Sequence, residues 1–435
     1  MRERPNTRTE DTKERRASRA SESKRRGRRR KVHSLIDKVY SRKNLELAWE
    51  KVKKNHGSGG IDEVTIEKFE EKKEYYLDML HQKLRDGTYQ PKPVKRVEIP
   101  KSGGGVRKLG IPCVMDRVVQ QALVQRMEAI FEARFVDCSY GYRKGRAPRD
   151  AMRKVWRELQ AGHLWIVDAD LRQFFDTIDQ EKLIDLIAEE ISDGRVLQLV
   201  RDILRSGVVE GRCWQPTLTG VPQGGVASPL WSNIFLTPFD RAMTEKGFRL
   251  TRWADDWVVV CRTRGEAQRA LAYADRFLRE ELGVELHPDK TRIVHVRQGF
   301  EFLGYKVKRG KGYRLPEKKR RVGSNPQNLY AIPREKSVKT FQEQIRHLTR
   351  RKTPVTIQEM IDRLNPVIRG WGNFYRKAHV RKQFNRLDRW IVQRIYSFLA
   401  KRWRNTIYRK YPVKRLIREY GLVRLTHLIP SLALR

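Results

Sequence analysis

The chain reads as an α+β protein, on two observations. Runs rich in β-branched and aromatic residues recur between residues 93 and 305, several of them joined in pairs by glycine or acidic turns. Apolar residues instead keep three- and four-residue spacing in 31–90 and again from Phe341 onward. At 435 residues the chain has length for two or three domains.

Charge narrows the partner. The net charge is +42 and the isoelectric point about 10.4, an excess that points to a polyanion. It is also unevenly placed. Residues 1–31 carry 14 Lys and Arg against 5 Asp and Glu, and residues 301–435 carry 35 against 8, which leaves the middle close to neutral. The centre has the balance of an enzyme core and the ends that of polyanion grips. There is no run of eighteen apolar residues to span a membrane, and the Arg-rich N-terminus lacks the apolar stretch of a secretory signal. Cys113, Cys138, Cys213 and Cys261 are scattered without CxxC spacing, so reduced thiols in a cytoplasmic setting are expected.

In chain order, residues 1–30 hold almost no large apolar side chain and read as a basic disordered arm. Leu35, Ile36, Val39, Leu45, Leu47, Ala48 and Trp49 have helical spacing, as do Phe69, Tyr76, Leu77, Leu80 and Leu84. The Gly-rich stretch between them, 55–62, reads as a plain connector. Residues 93–112 form a predicted hairpin about a glycine turn, with Lys101 and Arg107 on its arms able to converge on one anion. A helix follows over 114–134. Next comes Ser139-Tyr140-Gly141-Tyr142-Arg143-Lys144-Gly145-Arg146, a basic loop with interleaved tyrosines suited to a nucleic-acid backbone and stacked bases.

Leu164–Leu171 reads as a buried strand that ends in acids. Asp168, Asp170 and Asp176 are rivals there, and spacing alone does not choose among them. Thr219–Pro229 is a glycine-rich loop running into a helix, with Ser228 fitted to the N-cap, Pro229 to the first turn, and Gln223 lacking a packing reason. The stretch Arg252-Trp253-Ala254-Asp255-Asp256-Trp257 puts two adjacent carboxylates at the bend of a predicted buried hairpin. Two carboxylates that repel each other suit hard divalent cations, which take oxygen ligands; a third carboxylate would complete such a site. Lys290 then falls in a turn, and 299–305 forms another strand pair about a glycine. Residues 309–336 read as a linker, Thr356 and Glu359 as a capping box, and Phe384, Leu387, Ile391, Ile395, Phe398 and Leu399 as one apolar stripe. Arg386, Arg389, Arg394, Lys401 and Arg402 lie off that stripe on a basic face fit for RNA.

Seven strings in order, SYGYRKGR, VDADLRQFFDTID, GVPQGGVASPL, RWADD, HPDKT, FEFLGY and RLNPVIRGWGNFYR, resemble the reverse transcriptase and maturase blocks of bacterial group II intron-encoded proteins. The resemblance covers roughly Leu35 to Leu399. It implies a right-hand polymerase: a basic arm 1–30, N-terminal extension and fingers 31–160, a ferredoxin-like palm 161–308, a linker 309–336 and a helical thumb or maturase domain 337–435. It implies RNA-directed DNA polymerase activity, with Asp170, Asp255, Asp256 and the Leu171 carbonyl holding two Mg2+ ions, for which Mn2+ can substitute. Phe175 matches a steric gate against a 2′-OH, Lys101 and Arg107 match triphosphate contacts, Gln223 a residue beside the nucleotide, and Lys290 a proton donor to pyrophosphate. The implied partners are intron or other structured RNA, an RNA template with DNA primer, target DNA and dNTPs, with no membrane. The family's usual Tyr is Trp253 here, its common Phe is Trp257, and Gln173 replaces a common Gly; both Trp rings are expected near the primer terminus. No Cys/His-rich endonuclease module is visible, which resembles the endonuclease-lacking members. Two other readings stand beside this one: a related enzyme adopted by the host for repair or defence, and a non-catalytic RNA-binding splicing factor, against which the intact carboxylates argue.

Overall fold

Turn chemistry and β-rich runs place most strands where the sequence predicts them. The computed structural model describes residues 31–100, 106–211, 213–310, 328–351, 353–400 and 407–430; the basic arm, Lys101, Lys401 and Arg402 lie outside these. The strands are β1 (Val94–Pro100), β2 (Val106–Ile111), β3 (Trp165–Asp170), β4 (Val208–Glu210), β5 (Cys213–Gln215), β6 (Arg249–Trp253), β7 (Asp256–Cys261), β8 (Arg292–His295), β9 (Phe300–Phe302), β10 (Tyr305–Arg309) and β11 (Leu329–Pro333). The chain divides into two units, Met1–Arg134 with Phe175–Phe235, and Phe135–Phe174 with Leu236–Arg435.

In the first unit, the predicted hairpin is β1 and β2, extended to a four-stranded sheet in the order β2-β1-β4-β5. Trp49 of the helix Arg42–Lys54 is fully buried and stacks on Phe69 with ring centroids 4.2 Å apart. Leu47, assigned by its spacing to the same apolar stripe, faces outward and is 51% exposed. One carboxylate starts two helices here. Asp193 accepts from the Leu35 and Ile36 amides at 2.8 Å and also from those of Arg195 and Val196. The Gly-rich stretch is a docked connector, as read: Arg117 donates to the Ser58 and Pro112 carbonyls, and a Cβ on Gly60 would lie 2.6 Å from Cys113 Cα.

In the second unit, β3, β6, β7 and β8 pair antiparallel in the order β6-β7-β3-β8; the helix Ser228–Glu245, whose residues from Leu236 on belong to this unit, precedes β6 in the chain, and the helix Arg264–Phe277 lies between β7 and β8. This is the ferredoxin-like βαββαβ arrangement. A second antiparallel sheet, β11-β10-β9, connects to the helices Glu335–Leu348, Ile357–Tyr375 and Arg381–Leu399. β11 corrects the expected linker: residues 329–333 pair along β10 from Arg309↔Leu329 to Tyr305↔Pro333, and every second one of them is buried. The capping box forms as read, with the Glu359 amide donating to Thr356 Oγ1 at 3.2 Å and the Thr356 amide to the Glu359 carboxylate at 2.9 Å. Phe384, Leu387, Ile391, Ile395 and Phe398 are buried, and Arg386 and Arg389 exposed, while Arg394 turns in to donate to the Thr349 carbonyl at 3.2 Å.

A turn joins the small sheet to the helices. Leu303 (φ +48°) and Gly304 (φ +83°) link β9 to β10, a conformation that suits Gly and costs a branched side chain. Tyr375 Oη donates to the Gly304 carbonyl at 3.0 Å, the Arg334 amide to that same carbonyl at 2.9 Å, and Tyr305 Oη to the Phe374 carbonyl at 2.8 Å. Stacking of Trp371 on Phe341, with centroids 4.5 Å apart, adds about 0.5–1.5 kcal/mol beyond the area it buries. Among the described residues, no helix is long and apolar enough to cross a membrane.

Candidate functional site

Side chains alternate across a strand, so register decides which residues share a face. Asp170 on β3 pairs with Asp256 on β7, and Asp256 pairs with Trp253 on β6. Asp168, two residues before Asp170, points to the same side. Trp253, Asp168, Asp170 and Asp256 therefore share one face of the sheet, with Asp255 in the two-residue turn between β6 and β7. Ala169, Arg252 and Trp257 belong to the other face. Trp257 is fully buried there against Phe239, with ring centroids 5.3 Å apart. This corrects the expectation that both Trp rings stand near a primer terminus: Trp253 keeps to the carboxylate face, and Trp257 is core.

The three rival aspartates separate. Asp168 is held by Arg292 of β8, at 2.8 Å. Asp176 is exposed and belongs to the first unit. Asp170 stands opposite Asp256, and the chain beside it is pinned: the His287 amide donates to the Asp170 carbonyl at 2.8 Å and the Arg172 amide to Glu285 at 2.9 Å. Leu171, between these rungs, is buried opposite Leu286. The same pinning brings the turn of Lys290 to Asp170, whose carboxylate accepts from Lys290 Nζ at 2.5 Å.

Burial, and then the charges of Asp168, Asp170 and Asp255, push the Asp256 carboxyl up to about 7. Burial likewise raises the Asp168 carboxyl, against the opposing hydrogen bond and charge of Arg292. Arg334, at the start of the helix Glu335–Leu348, offsets part of the repulsion on Asp256. The sequence carried no signal for that contribution, since Arg334 is remote from the hairpin along the chain. Among the described residues, no three His, Cys, Asp or Glu groups stand close enough to chelate one metal ion as they are. The donor chemistry nonetheless fits hard cations. Mutually repelling carboxylates share one half-buried face, and the chain's own ammonium and guanidinium groups already neutralise two of them.

The other predicted contacts lie in the first unit. The Phe175 carbonyl accepts from the Val221 amide at 2.7 Å, and the Gln223 carbonyl from the Gly110 amide at 2.7 Å. The glycine loop thus ties Phe175 to β2, the strand that carries Arg107. A side chain would not fit it: a Cβ on Gly220 (φ +80°) would sit 2.8 Å from the Phe175 carbonyl oxygen. Ser228 does not cap the following helix through its hydroxyl, which donates to the Pro222 carbonyl at 2.7 Å and closes the loop on itself. The basic loop 139–146 is likewise corrected in part. Arg143 is 7% exposed and donates to the Val136 and Ser139 carbonyls, and Arg146 pairs with Asp137 at 2.7 Å, so both arginines brace the fold. Tyr142 stays exposed.

A ferredoxin-like sheet with carboxylates on one face, followed by a helical region, defines a polymerase palm with a thumb. The reverse transcriptase (RNA-dependent DNA polymerase) family matches residues 99–307, and the group II intron maturase-specific domain matches 338–416. The chain belongs to the family of group II intron reverse transcriptases and maturases. It is 33% identical to Protein YkfC of Escherichia coli (strain K12) over 64% of this chain and 81% of that protein. It is 27% identical to the group II intron-encoded protein LtrA of Lactococcus lactis subsp. cremoris, over 84% of this chain and 74% of that protein. An uncharacterized 91 kDa protein in the cob intron of Schizosaccharomyces pombe is 26% identical over 80% of this chain and 51% of its own length. The protein is an RNA-directed DNA polymerase with a maturase domain, and nucleic acids, intron RNA among them, are what such an enzyme acts on. Reverse transcriptases work with divalent metal ions.

Proposed function

We propose that Asp170, Asp255 and Asp256, with the Leu171 carbonyl, hold two Mg2+ ions, or Mn2+ in their place, for copying RNA into DNA. The observation that supports this is the register that sets Asp170 opposite Asp256, next to the Asp255 turn, on a face where burial and like charge favour a bound cation. Such ions would make a primer 3′-OH more acidic and neutralise charge on the leaving pyrophosphate. Lys290, paired with Asp170, is poised to give a proton to that leaving group. Trp253, on the carboxylate face, limits what can lie over the site. In the first unit, Phe175 serves as the gate against a ribose 2′-OH, Gln223 lies beside the base, and Arg107 with Lys101 meets the triphosphate. The organisation is that of arm 1–30, fingers 31–160, palm 161–308 and thumb 337–435. The partners are intron RNA, an RNA template with DNA primer, target DNA and dNTPs, in a bacterial cytoplasm near the nucleoid.

Primer extension on an RNA template with Mg2+ and dNTPs, comparing wild type with Asp255→Ala, tests the assignment. Extension by wild type alone, with equal RNA binding by both proteins, is the expected result. Equal extension by both proteins would remove Asp255 from the chemistry.

A further inference from the structure

On the face of the sheet away from the carboxylates lies an arginine that no part of the reaction uses. Arg252 is the residue before the hairpin Trp253–Asp256, and it is fully buried, as is Asp240 of the helix Ser228–Glu245. Its guanidinium meets Asp240 as a two-pronged fork, with Nε at 2.7 Å from Oδ1 and Nη2 at 2.5 Å from Oδ2. Nη2 also donates to Ser139 Oγ at 2.9 Å, and Nη1 to the carbonyl of Ala254 at 2.9 Å. The main chain is clamped as well: the Arg252 amide donates to Cys138 at 2.8 Å, and the Tyr140 amide to Arg252 at 2.9 Å.

Ala254 explains why such a clamp is needed. It is the first residue of the two-residue turn and has φ +57°, a left-handed conformation that costs a residue with a Cβ. From below, Gly141 packs so closely that a Cβ there would lie 2.5 Å from the Ala254 nitrogen. Desolvating an ion pair is expensive, and an apolar pair of the same volume is often as stable, so stability alone is a weak reason for this one. What the rigid guanidinium fork adds is direction: one planar group holds Asp240, Ser139 and the Ala254 carbonyl at once.

We propose that Arg252, locked by Asp240 and Ser139 and backed by Gly141, is a positioning residue that fixes the Ala254 turn and so aims the carboxylates of Asp255 and Asp256. This rests on the proposed role of those two aspartates. Arg252→Lys keeps the buried positive charge but replaces the planar fork with a single ammonium, which cannot hold Asp240 and the Ala254 carbonyl in the same geometry. Gly141→Ala leaves the ion pair intact and displaces the turn from the other side.

The test uses the full chain with both variants and three readouts: thermal melting with RNA binding, steady-state primer extension, and hydrogen exchange of the metal-free protein. For each variant the expected result is unchanged RNA binding, kcat lower by about 10²-fold with KM for dNTP within about twofold, and faster exchange confined to peptides covering 252–257. If Arg252→Lys does not fold, Gly141→Ala carries the test by the same readouts. Full kcat in a folded variant whose hairpin exchanges faster would overturn the proposal. So would exchange raised evenly across both sheets together with lost RNA binding, the mark of a structural role only. Failure of the catalytic assignment itself looks different: Asp255→Ala would then extend primers as wild type does.

Discussion

The turn between β9 and β10 offers a quantitative test of how the thumb helices are fastened to the rest of their unit. Gly304 has φ +83°, and a Cβ added to it would stand 2.8 Å from Tyr375 Oη. Gly304→Ala thus pays about 1–2 kcal/mol for the left-handed backbone and about 1–3 kcal/mol for overpacking. The Tyr375 ring cannot swing away to relieve the clash. It is 3% exposed and wedged against Tyr305, Trp371 and Phe374, with centroids 5.0, 4.9 and 4.7 Å away. Tyr375→Phe alone removes the hydrogen bonds to Gly304 and Ser337, at 3.0 and 2.9 Å, for about 0.5–1.5 kcal/mol each. In the double variant the clashing oxygen is gone. The pair should therefore cost less than the sum of the singles by about 1–3 kcal/mol, most of the overpacking penalty. Urea unfolding followed by tryptophan fluorescence measures the cycle, with Asp388→Ala combined with Gly304→Ala as an additive control. Additivity of the Gly304 and Tyr375 changes within about 0.5 kcal/mol would refute the contact as described.

Two further outcomes follow from local features. Burial raises the Asp116 carboxyl to about 6, against the opposing hydrogen bonds from Tyr89 and the Lys92 amide. Its folded value lies above the unfolded one, so the stability it contributes is present below about pH 4 and lost as pH rises through about 6. Asp116→Asn should flatten the fall of the urea midpoint across that window, a slope worth about 1–3 kcal/mol. Lys290→Met should slow single-turnover extension by about 10²-fold while leaving RNA affinity unchanged, as expected for loss of a proton donor.

What could be read from the sequence was local. A two-residue turn between β-rich runs announced the Asp255 hairpin, a glycine announced the Leu303–Gly304 turn, and Thr356 with Glu359 announced a helix start, because each depends on neighbours within a few residues. The face on which a strand residue lands was harder. Trp257 alternates correctly, yet only the helix lying over that side of the sheet makes it core. Charge was hardest. The arginines at 143, 146 and 252 look alike in a basic chain, yet the first two bond within their own loop, to Ser139 and Asp137, while Arg252 is fully buried against Asp240 and the distant Ser139. β11 was hidden because its ladder partner stands across residues 311–327 in the chain.

The most direct test of the central claim locates the metal rather than its consequence. Fe2+ put in place of Mg2+, with ascorbate and peroxide, cuts the backbone beside the bound ion. Cleavage near Asp170 and within 253–257, suppressed by excess Mg2+ and lost in Asp256→Asn, is the predicted pattern. Cuts confined to other segments, or an unchanged pattern in Asp256→Asn, would contradict it.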